Sequence, residues 1–171
     1  MSSSICIDAS LALRWMLPND RASEAESLLK NWDEGGNDLI SPPLFDIEVT
    51  SAIRKLMHLG RLSVEEGELA YSLYRELSVS IVNHSQLSTT AWRLAAEYNL
   101  PLTFEMQYLA LAELEKCEFW TADAGLLHKI QPMNNRINLL PGHDRQRTPG
   151  NKRSPVDKNA RPDFPGLWRE I

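Results

Sequence analysis

Short runs rich in apolar residues alternate along this chain with longer stretches whose apolar residues recur at helical spacing. The short runs occupy residues 5–7, 38–41, 79–82 and 118–121, and residues 137–140 are predicted to form a last edge strand. A strand followed by a helix usually pairs in parallel with the next strand, because the helix carries the chain back across the sheet. The pattern therefore predicts an α/β fold with a parallel sheet.

Local signals predict where two of the helices begin and end. Pro42 and Pro43 predict a helix start, since proline is tolerated in the first helical turn and little further in. Gly60 is a good residue for the end of that helix. Ser63 and Glu66 match a capping box, which predicts that another helix begins there.

Three leucines spaced four residues apart lie on this second helix, which is predicted to run to about residue 77. They are Leu69, Leu73 and Leu77. Such a row packs against the core or forms a contact between two copies of the chain. The sequence does not choose between these two roles.

The charge of the chain is unevenly distributed. Residues 141–171 hold seven Lys/Arg against four Asp/Glu and five of the ten prolines, whereas the rest holds eleven Lys/Arg against nineteen Asp/Glu. A charged, proline-rich segment buries too little surface to offset its ordering entropy. We therefore predict one domain over residues 1–140 and a mobile basic tail over residues 141–171. The acidic body argues against passive electrostatic binding of RNA and is compatible with carboxylates gathered around cations.

The sequence also indicates a cytoplasmic protein that does not enter a membrane. Its first residues form neither the basic nor the apolar region of a signal peptide. No apolar run approaches the roughly 18–20 residues needed to cross a bilayer. Cys6 and Cys117 both lie in or beside apolar runs, so we expect two free thiols in a reducing compartment.

Four acidic residues are predicted to lie near one edge of the sheet. Asp8 and Asp123 directly follow predicted strands, and Glu48 lies in the first turns of the helix after the second strand. Glu105 opens a helix predicted over residues 105–116, after a brief extended run at residues 101–104. In parallel α/β sheets the crevice beyond the carboxyl ends of the strands is the usual functional site. We therefore expect the four carboxylates to converge.

Converging carboxylates need a cation or protons. Two like charges about 4 Å apart repel by roughly 4 kcal/mol at an effective dielectric constant near 20. Hard oxygen ligands suit Mg²⁺ or Mn²⁺. The four histidines are scattered without ligand spacing, so a zinc site is not expected. The sequence therefore predicts a metal site formed by Asp8, Glu48, Glu105 and Asp123.

Each acid also has a purely structural interpretation. Asp8 and Asp123 suit the N-cap of the helix that follows each of them. Glu105 favours a helix N-terminus by its charge, and Glu48 suits a solvated helix face. One acid alone would favour the structural interpretation. Four acids at strand ends within one consistent topology favour the metal site.

Four segments carry a resemblance to a known family. Residues Ile5–Trp15, Leu44–Val49, Thr103–Ala112 and Trp120–Asp123 resemble, in order and spacing, the motifs of PIN-domain proteins of the VapC toxin type. The resemblance covers roughly residues 4–140. It implies a three-layer α/β/α sandwich around a parallel sheet and a ribonuclease that depends on Mg²⁺ or Mn²⁺.

The resemblance also assigns supporting residues and exposes one departure. Ser10 and Thr121 match small hydroxyl residues that support the site through hydrogen bonds to carboxylates, waters or phosphate. Glu105 departs from the family, which usually has Asp followed by Ala, and Met106 adds bulk beside it. One extra methylene moves a carboxylate by up to about 1.5 Å. This change could retune the metal, lower the rate or abolish cleavage.

The resemblance implies a metal-dependent endoribonuclease that leaves 5′-phosphate and 3′-hydroxyl ends. Further implied partners are a small antitoxin protein that blocks the site and a second copy of the chain in a homodimer. Arg14 is a candidate phosphate contact or, equally, a surface residue. The alternative function is a catalytically inactive PIN-like module that binds RNA or protein. Other α/β classes fit poorly, since Ser10 stands where a haloacid-dehalogenase-like phosphatase needs a second acid.

Overall fold

A computed structural model describes residues 3–17, 22–130 and 137–140 of the chain. The predicted tail, residues 141–171, lies outside the described residues. The strands of the described part are β1 (Ser4–Ile7), β2 (Asp38–Ser41), β3 (Val79–Ile81), β4 (Glu118–Thr121) and β5 (Ile137–Leu139). Its helices are α1 (Ala9–Met16), α2 (Ala22–Glu34), α3 (Leu44–His58), α4 (Val64–Glu76), α5 (Leu87–Glu97), α6 (Phe104–Glu115) and α7 (Ala124–Ile130).

The five strands form one parallel sheet in the order β3-β2-β1-β4-β5. In the central strand, Cys6 is in register with Ile40 of β2 on one side and Phe119 of β4 on the other. The prediction of an α/β fold with a parallel sheet is confirmed, including β5 as an edge strand. All five strands end at the same edge, so the loops that follow them are neighbours.

Both faces of the sheet are covered by helices. Ile5, Cys6 and Ile7 follow one another along β1, and their exposed fractions are 6%, 0% and 0%. Successive side chains of a strand point to opposite faces, so three consecutive buried residues require cover on both sides. On one face the Cys6 thiol donates a hydrogen bond to the carbonyl of Tyr108 in α6. The chain is therefore the three-layer α/β/α sandwich that the resemblance implied.

The capping signals between α3 and α4 are confirmed. The backbone N–H of Glu66 donates to the Ser63 hydroxyl at 3.1 Å, and the N–H of Ser63 donates to the Glu66 carboxylate at 2.8 Å. These bonds satisfy amide groups that have no partner within the helix. Gly60 has a φ of +66°, a left-handed conformation that suits glycine after a helix.

The interpretation of Leu69 and Leu73 as core residues is wrong. Their exposed fractions are 61% and 38%, whereas Leu77 packs against the core. The buried residues of α4 are instead Gly67 and Ala70. A Cβ atom at Gly67 would lie 2.3 Å from the Met57 sulfur, so α4 packs against α3 through small residues and presents its leucines to solvent.

The extended run predicted at residues 101–104 is absent from the described sheet. Thr103 has helical dihedral angles, and α6 already begins at Phe104. An extended segment is stable mainly when a neighbouring strand pairs with it. The described sheet has no strand that pairs with this segment, so the chain bends directly into the helix. None of the described helices is both long and apolar enough to span a membrane.

Candidate active site

A small pocket opens at the carboxyl edge of the sheet, where the loops after β1 and β4 meet α3 and α6. It is lined by Asp8, Ala9, Ser10, Glu48, Glu105, Tyr108, Asp123 and Leu126, a set we call the carboxylate pocket. The fold thus brings together all four predicted acids. Its cavity of about 40 Å³ has room for a cation and water but not for a nucleotide.

Asp8 both caps a helix and faces the pocket. Its Oδ1 accepts the backbone N–H of Leu11 at 2.9 Å, which caps α1, and the Ser10 hydroxyl at 2.7 Å. Its Oδ2 accepts the Thr121 hydroxyl at 2.5 Å. The side chain is 6% exposed. The structural and functional interpretations of Asp8 therefore describe the same carboxylate.

Ser10 and Thr121 join the β1 and β4 loops around Asp8. The Ser10 hydroxyl accepts the N–H of Ala122 at 3.0 Å, and the Thr121 hydroxyl accepts the N–H of Asp123 at 2.9 Å. The Ser10 hydroxyl donates to Asp8 and accepts from the loop after β4. The Thr121 hydroxyl donates to Asp8 and accepts from its own loop. Both hydroxyl groups are therefore fixed in direction. These hydrogen bonds hold the Asp8 carboxylate in place.

Asp123, which follows β4, caps the start of a helix as Asp8 does after β1. Its Oδ1 accepts the N–H groups of Gly125 at 2.7 Å and Leu126 at 3.2 Å, at the start of α7. These two bonds fix one carboxylate oxygen. Because both donors bind Oδ1, the side chain keeps Oδ2 available to a ligand in the pocket.

Glu48 is fixed by a residue to which the sequence analysis gave no role. The buried Tyr108 hydroxyl donates a hydrogen bond to Glu48 Oε2, which joins α6 to α3. The Tyr108 ring is 2% exposed and stacks on Phe119 of β4 at 6.1 Å. The available signal was spacing: Tyr108 follows Glu105 by three residues, so the two lie on the same face of one helix.

Glu105 is the least constrained acid of the pocket. Its side chain is 39% exposed, and Oε2 lies 3.9 Å from Nζ of Lys129, which belongs to α7. Met106, predicted to add bulk beside the acid, is fully buried in the core and does not line the carboxylate pocket. Any effect of Glu105 on the pocket therefore comes from the length of its own side chain, with no obstruction by Met106.

Burial and repulsion between neighbouring carboxylates raise the pKa of two of the acids. Burial raises the pKa of Asp8 to about 6, against lowering by hydrogen bonds from Thr121 and Ser10. Burial likewise raises the pKa of Glu48 to about 7, although Tyr108 lowers it. Repulsion from neighbouring acids of the pocket adds to both shifts. Perturbed carboxyl groups that share a cleft are a common property of functional sites.

A family model described as the PIN domain matches residues 5–131, a span that contains all four acids of the pocket. The chain belongs to the PIN domain family. The resemblance found in the four sequence motifs is thereby confirmed.

Two curated relatives of this PIN-domain chain are named ribonucleases. They are VapC ribonuclease Mb0985 from Mycobacterium bovis and Ribonuclease VapC9 from Mycobacterium tuberculosis. Each is 32% identical over 122 residues, and the alignment covers 71% of this chain and 87% of the relative. The similarity extends over most of both proteins, so it concerns the whole PIN domain.

A solved structure supports the fold independently. The crystal structure of PAE2754 from Pyrobaculum aerophilum matches with a TM-score of 0.56 and covers 80% of this chain and 84% of that one. Sequence identity is 20%, so the likeness concerns the fold alone.

The donor set of the carboxylate pocket fits a hard divalent cation. Every charged group that lines it is a carboxylate, and its neutral polar groups are hydroxyls. Oxygen donors of this kind suit Mg²⁺ or Mn²⁺. Within the described residues, no three His, Cys, Asp or Glu side chains stand close enough together to form a ready-made metal group. The four carboxylates line one cavity without forming such a group.

Arg14 does not join the other predicted site residues. It lies in α1 with an exposed fraction of 9%, and it is not among the residues that line the carboxylate pocket. The interpretation of Arg14 as a surface residue is therefore wrong. Its predicted phosphate contact stays a prediction that would require the guanidinium to become accessible.

Proposed function

We propose that this PIN-domain protein is a metal-dependent endoribonuclease that hydrolyses RNA phosphodiester bonds, as the toxin of a toxin–antitoxin pair. The observation that carries the proposal is the carboxylate pocket at the carboxyl edge of the sheet, in a chain similar to curated VapC ribonucleases over most of its length. No comparison favours the alternative of an inactive binding module.

The cofactor we propose is Mg²⁺ or Mn²⁺, held by Asp8, Glu48, Glu105 and Asp123. When bound, such an ion activates water as a nucleophile and offsets charge that develops on the phosphate. The raised pKa values of Asp8 and Glu48 support this assignment, because a cation would favour the charged form of both groups.

The remaining polar residues of the site act as positioning groups. Ser10 and Thr121 donate to the two different oxygens of Asp8, which restrains its rotation. Tyr108 restrains Glu48 in the same way from α6. Fixed carboxylates lose little freedom when a ligand binds, which favours tight and directional coordination. Contacts of Ser10 and Thr121 with phosphate stay a prediction beside their bonds to Asp8.

The size of the pocket indicates how RNA approaches. A cavity of about 40 Å³ is too small for a nucleotide, so the strand must lie across its mouth with one phosphate directed inward. The base and sugar then contact the surrounding surface. Cleavage by hydrolysis in this arrangement is expected to leave a 5′-phosphate and a 3′-hydroxyl.

The partners we propose are a small antitoxin protein, which blocks the pocket, and a second copy of the chain. The exposed leucines of α4, Leu69 and Leu73, support a homodimer because exposed apolar side chains on one helix face are typical of contact surfaces. Sedimentation that finds only monomer at tens of micromolar protein would remove the homodimer from the proposal.

The experiment that tests the proposal is RNA cleavage by the purified protein with Mn²⁺ or Mg²⁺, beside an EDTA control. Asp8→Asn is expected to lower the rate by more than about 100-fold, because it removes a proposed ligand of the metal. The matched control is Asp33→Asn, which alters an exposed aspartate of α2 and should cleave like wild type. Equal cleavage by wild type and Asp8→Asn would refute the proposed site.

A further inference from the structure

Beyond Glu48, helix α3 and the turn that follows it carry basic side chains and no acidic ones, a feature that the proposed nuclease site does not use. Residues 49–64 contain no Asp or Glu and include Arg54, Lys55, His58 and Arg61. The chain outside its last thirty-one residues is acidic, with nineteen Asp/Glu against eleven Lys/Arg. A basic surface in such a body creates a local field of opposite sign.

These side chains form a surface feature on the outer face of α3. An open depression is lined by Thr50, Ser51, Arg54, Lys55 and His58, a set we call the α3 groove. The opposite face of the helix packs into the core through Phe45, Val49, Ala52, Ile53 and Leu56. The buried face fixes the helix, so the groove residues stay on the solvent side.

The α3 groove and the carboxylate pocket are separate depressions that lie along the same helix. Glu48, Ser51 and Lys55 follow one another at spacings of three and four residues, which places them along one side of the helix. With a rise of about 1.5 Å per residue, Lys55 lies roughly 10 Å beyond Glu48 along the helix axis. A strand that crosses the pocket mouth at Glu48 can therefore continue along the groove.

The chemistry of the groove suits phosphate. Arginine presents a fork of N–H donors that matches phosphate oxygens, and the Ser51 hydroxyl supplies a neutral donor beside it. The Thr50 hydroxyl donates to the carbonyl of Asp46 at 2.7 Å and lines the groove without supplying a donor. Stabilisation of the helix dipole explains Lys55 and His58, which occupy the last turn of α3. It does not explain the exposed Arg54 with two hydroxyl neighbours in an open depression.

We propose that the α3 groove binds the phosphate backbone of the RNA strand whose scissile phosphate lies at the carboxylate pocket. This inference rests on the proposed nuclease function and adds where the flanking nucleotides lie. The groove is open and offers no enclosed walls for a base, so its contacts are with the backbone. Binding there is independent of RNA sequence and weakens as salt rises.

The test measures binding of a short, labelled single-stranded RNA to the full chain in EDTA, over a range of salt concentrations. Arg54→Gln is expected to weaken binding roughly 3- to 10-fold, equally for different RNA sequences. It should also reduce the slope of log affinity against log salt by about 0.7 for the lost contact. Lys30→Gln, which removes one exposed positive charge from α2, is the matched control and should leave both quantities unchanged.

Each outcome decides the inference. Equal effects of Arg54→Gln and Lys30→Gln, or no RNA binding by wild type, would overturn it. Binding of polyglutamate that depends on Arg54, with no binding of RNA, would overturn it in favour of an acidic protein partner. Cleavage with Mn²⁺ is measured separately on the same RNA. Binding that depends on Arg54 without cleavage would reject only the nuclease function, and cleavage without an Arg54 effect would reject only the groove.

Discussion

The two sides of the carboxylate pocket are held in different ways. On the side of β1 and β4, Asp8 is 6% exposed and accepts three hydrogen bonds from groups that are themselves fixed. On the side of α6, Glu105 is 39% exposed and faces Lys129 across 3.9 Å. One carboxylate is preorganised by its neighbours, and the other keeps freedom to move.

This difference determines where the pocket can accept a longer carboxylate side chain. An extra methylene at Asp8 would break its hydrogen bonds to Leu11, Ser10 and Thr121, because the buried side chain has no room to shift. At Glu105 the extra length extends toward solvent and reaches Lys129. The pocket therefore tolerates a longer side chain only on its loosely held side.

The largest expected effect concerns the charging of Asp8. Its pKa is about 6 in the folded protein and ordinarily 3.8, so between these values the folded state binds more protons than the unfolded state. Without metal, the free energy of unfolding therefore falls as pH rises through this window, by on the order of 3 kcal/mol. Asp8→Asn should show a smaller fall, because only the part contributed by Glu48, whose pKa is also raised, remains, and it should be more stable than wild type near neutral pH. Urea unfolding in EDTA at acidic and neutral pH measures both.

The exposed Asp33 provides the control for this measurement. Asp33→Asn is expected to keep the pH dependence of wild type. Added Mn²⁺ should raise the stability of wild type at neutral pH more than that of Asp8→Asn, since a bound ligand stabilises the folded state. If wild type and Asp8→Asn showed the same pH dependence, the fall in the free energy of unfolding could not be assigned to Asp8.

A smaller effect is expected when the support of Asp8 is removed. Thr121→Val keeps the shape of the side chain but loses the hydroxyl that donates to Asp8 and accepts from Asp123. Loss of such a supporting partner typically lowers metal affinity or activity about 10- to 100-fold. Calorimetric titration with Mn²⁺ and RNA cleavage both report it.

Thr121→Ser separates the hydroxyl from the bulk of the side chain. This variant keeps the donor and should retain most of the Mn²⁺ affinity of wild type. If Thr121→Ser lost as much affinity as Thr121→Val, packing of the methyl group, and not the hydrogen bond, would explain the effect.

The smallest effect is expected on the Glu105 side. Glu105→Asp withdraws the carboxylate from Lys129 by about 1.5 Å on the loosely held side of the pocket, so the cleavage rate should change by less than about 10-fold. Lys129→Gln should alter the free energy of unfolding by less than about 1 kcal/mol, because exposed ion pairs contribute little. Should Glu105→Asp abolish cleavage as Asp8→Asn is expected to do, the two sides would be equally constrained.

Most of the fold was predictable because its signals are local. The helix start at Ser63 was correctly predicted, since a capping box involves residues three apart. The extended run at residues 101–104 was wrong, because an extended segment depends on a partner strand that local sequence does not reveal. The exposure of Leu69 and Leu73 could not be predicted from local sequence either, because it follows from the close packing of Gly67 against Met57.

The sequence by itself determined that acids following β1 and β4 lie at one edge of the sheet, because parallel strands end at the same edge. That β1 and β4 are neighbours follows from the strand order, which the tertiary structure decided. Only the tertiary structure decided what each carboxylate binds, because the bond from Tyr108 to Glu48 and the approach of Lys129 to Glu105 depend on how α3, α6 and α7 are positioned. Those positions follow from the packing of the whole core, and no local pattern specifies them.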